Sequence, residues 1–141
     1  MRLFFLMVCG FVLLQAELTR VGDNTVVDSE TKLEWQDNSE VSRISKKSWD
    51  KAIEYCEDLS LDGKKDWRLP NQNELLDIVD YTSSEFPINP IFNYTNAEPY
   101  WSSTTFLGEL TKAWYVDFSF GEALNNHKQT EYFVRCVRAG K

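Results

Sequence analysis

The segments SWDKAIEYCEDL (residues 48–59) and EYFVRCVR (residues 131–138) decide the fold. At about 100° per residue, the apolar side chains of the first segment lie within an arc of about 120°, which predicts an amphipathic helix with Ser48 as its N-cap. In the second segment, successive side chains alternate between two faces, which is the period of a β-strand. Cys56 lies on the apolar stripe of the helix, and Cys136 lies on one face of the last strand. The apolar stripe consists of Trp49, Ala52, Ile53, Cys56 and Leu59.

Residues 1–16 are typical of a secretory signal peptide. Arg2 precedes a 12-residue apolar run, LFFLMVCGFVLL, that ends at Gln15. Such a run is too short for a membrane-spanning helix, which needs about 20 residues. Ala16 supplies the small residue before a signal-peptidase cut, so we expect the exported chain to begin at Glu17. The alternative is a lipoprotein anchored through Cys9, although the apolar run continues past that cysteine.

The cysteine count then predicts one disulfide. Cys9 leaves with the signal peptide, so the exported domain keeps Cys56 and Cys136, an even pair in an oxidising compartment. Their bridge would join the first helix to the last strand, and closing so long a loop would stabilise the fold by about 4–5 kcal/mol. The alternative is two separate buried thiols.

Residues 17–141 have the size of one ordinary domain, and no linker or internal repeat divides them. They contain 14 lysines and arginines against 22 acidic residues, a net charge of −8. A chain this acidic repels phosphate backbones and anionic headgroups, because both attract basic patches. We therefore expect no nucleic-acid partner and no membrane insertion of the exported form.

A second helix is predicted after the first. Asn71 stands three residues before Glu74, the spacing of a capping box, and the helix is expected to end near Tyr81. Two prolines and three asparagines then predict a long irregular surface loop over residues 82–96. This loop contains Asn93 at the start of an N-glycosylation sequon, Asn-Tyr-Thr.

Short β-prone runs predict the strands. Residues 25–27 and 32–35 flank a turn-rich segment and predict a hairpin. Residues 99–105 and 112–121 predict two further strands, the second with a clear alternation of apolar and polar side chains. The polar stretch that follows, which contains His127, is expected to be a loop.

The sequence contains no catalytic constellation that can be recognised by spacing. His127 is the only histidine, so a histidine-rich metal site or a nucleophilic relay would have to be built around it. The six glycines are scattered and form no phosphate-binding loop. The chain is therefore predicted not to be an enzyme.

Calcium is the one cofactor for which the oxygen-rich loops offer ligands. No loop has a dense Asp-x-Asp spacing, so the sequence predicts no required cofactor and leaves calcium open. The candidate ligands are Asp117, Glu122, Asn125 and Asn126.

Aromatic residues are the main indication of a binding surface, because they dominate many recognition sites. Trp49 and Trp114 fall on apolar faces and are predicted to belong to the core. The surface candidates are then Trp35, Trp67, Trp101, Tyr94 and Tyr100. With the loops at 82–96 and 120–130 as the binding face, the predicted ligand-binding residues are Tyr94, Tyr100, Trp101, Asn125 and Asn126.

Taken together, the blocks DNTVVDSETKLEWQD, DWRLPNQNELLDIVDY, YWSSTT, AWYVDFSFG and YFVRCVR resemble a bacterial family grouped with the C-terminal domain of the Legionella collagen-like adhesin. The resemblance implies a C-type-lectin-like α+β fold, with two helices on small antiparallel sheets, long loops and a disulfide from the first helix to the last strand. It also implies adhesive trimers that bind sulfated glycosaminoglycans. An acidic domain would need a local basic patch for such a ligand, and the candidates are Arg43, Lys46 and Lys47, or Lys64, Lys65 and Arg68.

The sequence therefore predicts an exported, non-catalytic binding module for carbohydrate or for an extracellular or envelope protein. RLPNQNEL and FVRCVR are also similar to segments of formylglycine-generating, sulfatase-modifying enzymes. That similarity leaves open an enzyme that uses Cys56 or Cys136 as a reactive thiol. A structural subunit of an envelope assembly is the third hypothesis.

Overall fold

The computed structural model describes residues 17–140, which form an α+β fold of three helices and two antiparallel sheets. The predicted signal peptide lies outside the described residues. The first sheet has the strand order β1-β2-β3-β7 and the second has the order β4-β5-β6. The elements are β1 (Leu18–Val21), β2 (Thr25–Asp28), β3 (Leu33–Gln36), α1 (Glu40–Arg43), α2 (Trp49–Asp58), α3 (Gln72–Asp77), β4 (Pro99–Thr105), β5 (Lys112–Asp117), β6 (Glu122–His127) and β7 (Val137–Ala139).

The predicted α+β class is confirmed, with one more helix than the two expected. The additional helix, α1, is a single turn, which is too short to show an apolar period in the sequence. No helix within residues 17–140 has the length and apolar character needed to cross a membrane.

Helix α2 and the disulfide are confirmed. The helix follows Ser48 and buries Ala52 and Cys56, and Cys56 is bonded to Cys136 with a Cα–Cα distance of 5.5 Å. Both cysteines are fully buried. The bridge therefore fixes the first long helix to the segment that leads into the last strand.

The capping box at the start of α3 is also confirmed. The Asn71 side chain accepts from the Glu74 N–H, and the Glu74 carboxylate accepts from the Asn71 N–H, both at 2.8 Å. Arg68 donates two hydrogen bonds of 2.7 Å to the same carboxylate. The helix ends at Asp77 instead of near Tyr81, and just beyond it the Ile78 carbonyl accepts from the Asn89 N–H of the long loop at 3.0 Å.

The last predicted strand, residues 131–138, is wrong in extent, since the regular strand comprises only Val137–Ala139. Tyr132 pairs with Lys47, Phe133 with Tyr100, and Val137 with Arg68 through isolated bridges. The segment thus crosses between the two sheets and contacts a different neighbour every few residues. Its alternation does not separate a core face from a solvent face, because residues 133–138 are all buried.

The second sheet separates two halves of the core. Tyr100 packs on one side with Val116 and Phe118, in the cluster that includes α3 and the first sheet. Trp101 packs on the other side against Tyr132, with ring centroids 4.7 Å apart, in the cluster that contains the disulfide. Adjacent residues of β4 are both buried because this sheet is covered on both faces.

A buried ion pair anchors the long loop. Arg135 and Asp37 are both fully buried, with 3.1 Å between Nη1 and Oδ1. The Asp37 carboxylate also accepts from the backbone N–H groups of Asn93 and Tyr94, at 2.9 and 3.1 Å. Arg135 in turn donates to the Tyr94 carbonyl and to the Thr95 hydroxyl. Residues 82–96 contain no helix or strand, as predicted, and are held by these hydrogen bonds.

Candidate functional site

An open cleft of about 600 Å³ lies beside α2. One wall is the outer face of that helix, and the other is the extended segment before it, where Lys47 and Tyr132 exchange backbone hydrogen bonds of 2.8 and 3.0 Å. The lining has mixed charge. It contains the lysines Lys46, Lys47 and Lys51 and the carboxylates Glu40, Glu54, Asp58 and Glu131.

Tyr55 is the aromatic residue of the cleft, and its hydroxyl is fixed by two partners. It donates to the Glu40 carboxylate at 2.8 Å and accepts from the Gln36 amide at 3.1 Å. Burial raises the pKa of Tyr55 well above its usual range, so the phenol stays a neutral donor. Gln36 also accepts from the backbone N–H of Cys136 at 3.1 Å. The cleft is thereby connected to both ends of the disulfide.

The three lysines of the cleft differ in their partners. Lys46 pairs with Glu98 at 2.7 Å, and Lys51 pairs with Glu54 at 2.8 Å. Lys47 lies 5.5 Å from the centroid of the Tyr55 ring, and no carboxylate of residues 17–140 is within ion-pairing distance of it. Lys47 is thus the cation of the cleft that remains available to a ligand.

Carboxylates balance both predicted basic patches. The cleft that contains Lys46 and Lys47 is lined by three lysines and four acidic residues. Lys64 contacts Glu34 at 2.8 Å, and Arg68 is bound by Glu74. The second patch is therefore neutralised by neighbouring acids, so it offers little net positive charge.

The aromatic surface candidates are largely wrong. Tyr100 and Trp101 are fully buried, so neither ring faces a ligand, and Trp35 and Trp67 are buried as well. Trp49 and Trp114, assigned to the core, are only half-buried. Alternation did not predict these burials, because it does not show how far the covering elements extend.

The remaining predicted ligand residues lie away from the cleft. Tyr94 is half-buried in the anchored loop, and Asn125 and Asn126 are in strand β6, where the sequence predicted a loop. The Asn126 amide donates to the Tyr132 hydroxyl at 2.9 Å. None of these three residues lines the cleft beside α2.

Two of the four calcium candidates, Asp117 and Glu122, face each other across a strand pair. Asp117 is opposite Glu122 in the β5–β6 ladder, and Asp117 Oδ1 accepts from the N–H and hydroxyl of Ser119 at 2.9 and 2.6 Å. Within residues 17–140, no three acidic, histidine or cysteine side chains are grouped so as to hold a metal.

The sequence did not single out Tyr55, the central residue of the cleft. The sequence does contain an indication of its role, because Tyr55 is an aromatic residue beside the apolar stripe of α2, one position before Cys56. The contribution of Glu131 could not be found in this way, since it reaches the cleft only through the pairing of Tyr132 with Lys47.

The fold and the cleft define the class: a small α+β domain joined by one disulfide, with an open cleft of mixed charge. Within that class, the model of the Lcl C-terminal domain matches residues 24–138, and the chain belongs to this family. Membership indicates an adhesin-associated, exported module. Among curated proteins, none matches the chain.

Proposed function

We propose that this protein is an exported, non-catalytic binding module of adhesive type, and that its cleft beside α2 binds carbohydrate. The observation that carries the proposal is the pair of Lys47 and Tyr55, an available cation over an aromatic ring whose hydroxyl is fixed. Aromatic rings offer an apolar face to the C–H groups of a sugar, and the polar rim supplies hydrogen bonds. The adhesin-associated family supports the same class of function.

The cleft suits a saccharide better than a large protein partner. Its volume of about 600 Å³ falls within the range of small-ligand sites. The exposed ion pair between Lys51 and Glu54 is inexpensive to rearrange, because surface pairs contribute little to stability. Both groups can therefore turn toward hydroxyl groups of a bound sugar.

The enzymatic alternative is less well supported. It requires Cys56 or Cys136 as a reactive thiol, and reactivity depends on an exposed thiolate. The two sulfur atoms are bonded to each other and buried. Alkylation of the native protein without reductant tests this alternative, and we expect neither cysteine to be labelled.

A glycan array tests the proposal, followed by calorimetry on the strongest hit. We expect Tyr55→Ala to weaken binding about ten-fold, which corresponds to about 1.4 kcal/mol for a lost stacking contact. Lys47→Gln should weaken binding several-fold, and this difference should shrink as salt screens the charge. Lys65→Gln, an exposed lysine outside the cleft, is the matched control.

Two results would contradict the proposal. One is the absence of any glycan hit for protein with an intact melting transition. The other is a hit whose affinity is the same in Tyr55→Ala, Lys47→Gln and the control, because the ligand would then bind elsewhere on the surface.

A further inference from the structure

The cleft beside α2 contains charged side chains of both signs that lack an ionic partner. Its free cation is Lys47, since carboxylates pair with the other two lysines. The exposed carboxylates of Asp58 and Glu131 have no hydrogen-bond donor or cation beside them within residues 17–140. Glu40 accepts from the Tyr55 hydroxyl, which is a neutral donor. One cation against three carboxylates leaves the cleft with a net charge of −2.

Free groups of both signs lie around one aromatic ring. Lys47 Nζ is 5.5 Å from the centroid of the Tyr55 ring, and Glu40 is 2.8 Å from the hydroxyl of the same side chain. Asp58 follows Tyr55 by three positions on α2. Residues at this spacing are neighbours on a helix surface, with about 5–6 Å between their Cβ atoms. One small ligand can therefore contact a cation, an aromatic face and a carboxylate at the same time.

A ligand with charge of one sign does not match this arrangement. A sulfated or carboxylated saccharide would gain an ion pair at Lys47, but it would also meet three carboxylates that repel it. A purely cationic saccharide would be repelled by Lys47. A neutral saccharide would compete with water for all of these charged groups and would gain no ion pair. Electrostatic complementarity thus favours a ligand that carries both signs.

We propose that the cleft selects a saccharide that carries both a free amino group and a carboxylate, which is the class of unacetylated amino sugar acids. This inference rests on the proposed carbohydrate-binding function and names the class of sugar. The carboxylate of the ligand pairs with Lys47, and its ammonium group pairs with Asp58. The C–H groups of the sugar contact the Tyr55 ring between them. Glu131, on the opposite wall, adds to the negative potential that attracts the ammonium group.

Four monosaccharides built on one ring separate the two charges. Muramic acid has the amine and the carboxylate, N-acetylmuramic acid has only the carboxylate, glucosamine has only the amine, and N-acetylglucosamine has neither. Dissociation constants come from NMR titration of the isotope-labelled, oxidised chain at low salt. We expect muramic acid to bind about three- to five-fold more tightly than either singly charged sugar, as one partly exposed ion pair allows. Amide shifts should centre on Lys47 and Tyr55, and the preference should shrink as salt is added.

Two variants should each remove one preference and keep the other. Asp58→Asn should abolish the advantage of muramic acid over N-acetylmuramic acid, while its advantage over glucosamine remains. Lys47→Gln should do the reverse. Damage to the fold would weaken binding of all four sugars alike, so it cannot produce this crossed pattern. Glu57→Gln is the matched control, because Glu57 is an exposed carboxylate next to Asp58 that does not line the cleft.

Three results would overturn the inference. Equal affinities for the four sugars, with shifts in the cleft, would show recognition by hydroxyl groups alone and would leave the proposed carbohydrate binding intact. Tighter binding of either singly charged sugar than of muramic acid would show that one sign is selected. The absence of shifts in the cleft with all four sugars would exclude this class of ligand, and the glycan array would then decide the proposed function separately.

Discussion

Replacement of Asp37 by alanine tests whether the buried ion pair holds the long loop against the sheet. The carboxylate is fully buried and accepts from Arg20, Arg135 and two backbone N–H groups of the loop. Alanine leaves Arg135 as an uncompensated buried charge, and breaking a buried pair in this way costs about 3–5 kcal/mol. Each backbone N–H left without an acceptor costs about 1–3 kcal/mol where water cannot reach it. We therefore expect the free energy of unfolding to fall by at least about 3 kcal/mol.

The assay is urea unfolding of the oxidised chain, with hydrogen exchange of the loop amides measured in parallel. The amides of Asn93 and Tyr94 should lose protection first, because they bond directly to the carboxylate. Glu54→Ala removes an exposed ion pair and should leave the unfolding midpoint unchanged. A loss below about 1 kcal/mol, with the two amides still protected, would refute the view that this pair anchors the loop.

Two further predictions concern the disulfide and acid stability. Replacing both Cys56 and Cys136 by alanine should lower the free energy of unfolding by about 4–5 kcal/mol in the chain-entropy model, and a thermal scan that shows no loss of stability would contradict this. Burial raises the pKa of Glu74, but hydrogen bonds from Arg68 and the Asn71 N–H outweigh it and hold the pKa below the usual value. This group therefore contributes stability above about pH 4.5 that is lost as the pH falls through its lowered pKa. Glu74→Gln should flatten stability against pH in that range, and an unchanged acid slope would count against this assignment.

Local signals predicted α2, the start of α3 and the disulfide. The stripe of α2 and the capping box of Asn71 involve residues within a few positions of each other, so they act before any tertiary contact forms. The pairing of Cys56 with Cys136 followed from an even count after export and from the period of the two segments. These features could be predicted because the helices depend on residue spacing, and the disulfide depends on the cysteine count and the period of two segments.

Strand β6 could not be predicted from the sequence. Its sequence, EALNNH, is polar and reads as a loop, yet it forms a continuous ladder with β5. Strand β6 is held by its pairing with β5, to which a short turn connects it, and not by an alternating apolar face. Alternation of apolar and polar residues indicates a strand only where one face is buried. A polar edge strand such as β6 therefore has no recognisable pattern in the sequence.

The sequence by itself determined the α+β class, the position of α2, the start of α3 and the disulfide. Only the tertiary structure decided which aromatic rings are exposed, because burial of Tyr100 and Trp101 requires elements on both faces of the second sheet. It alone joined Asp37 to Arg135, 98 residues apart, and placed Lys47 over Tyr55 at the candidate site. The physical reason is that a sequence pattern specifies the face of a helix or strand, whereas burial and charge pairing depend on distant segments that meet only in the folded chain.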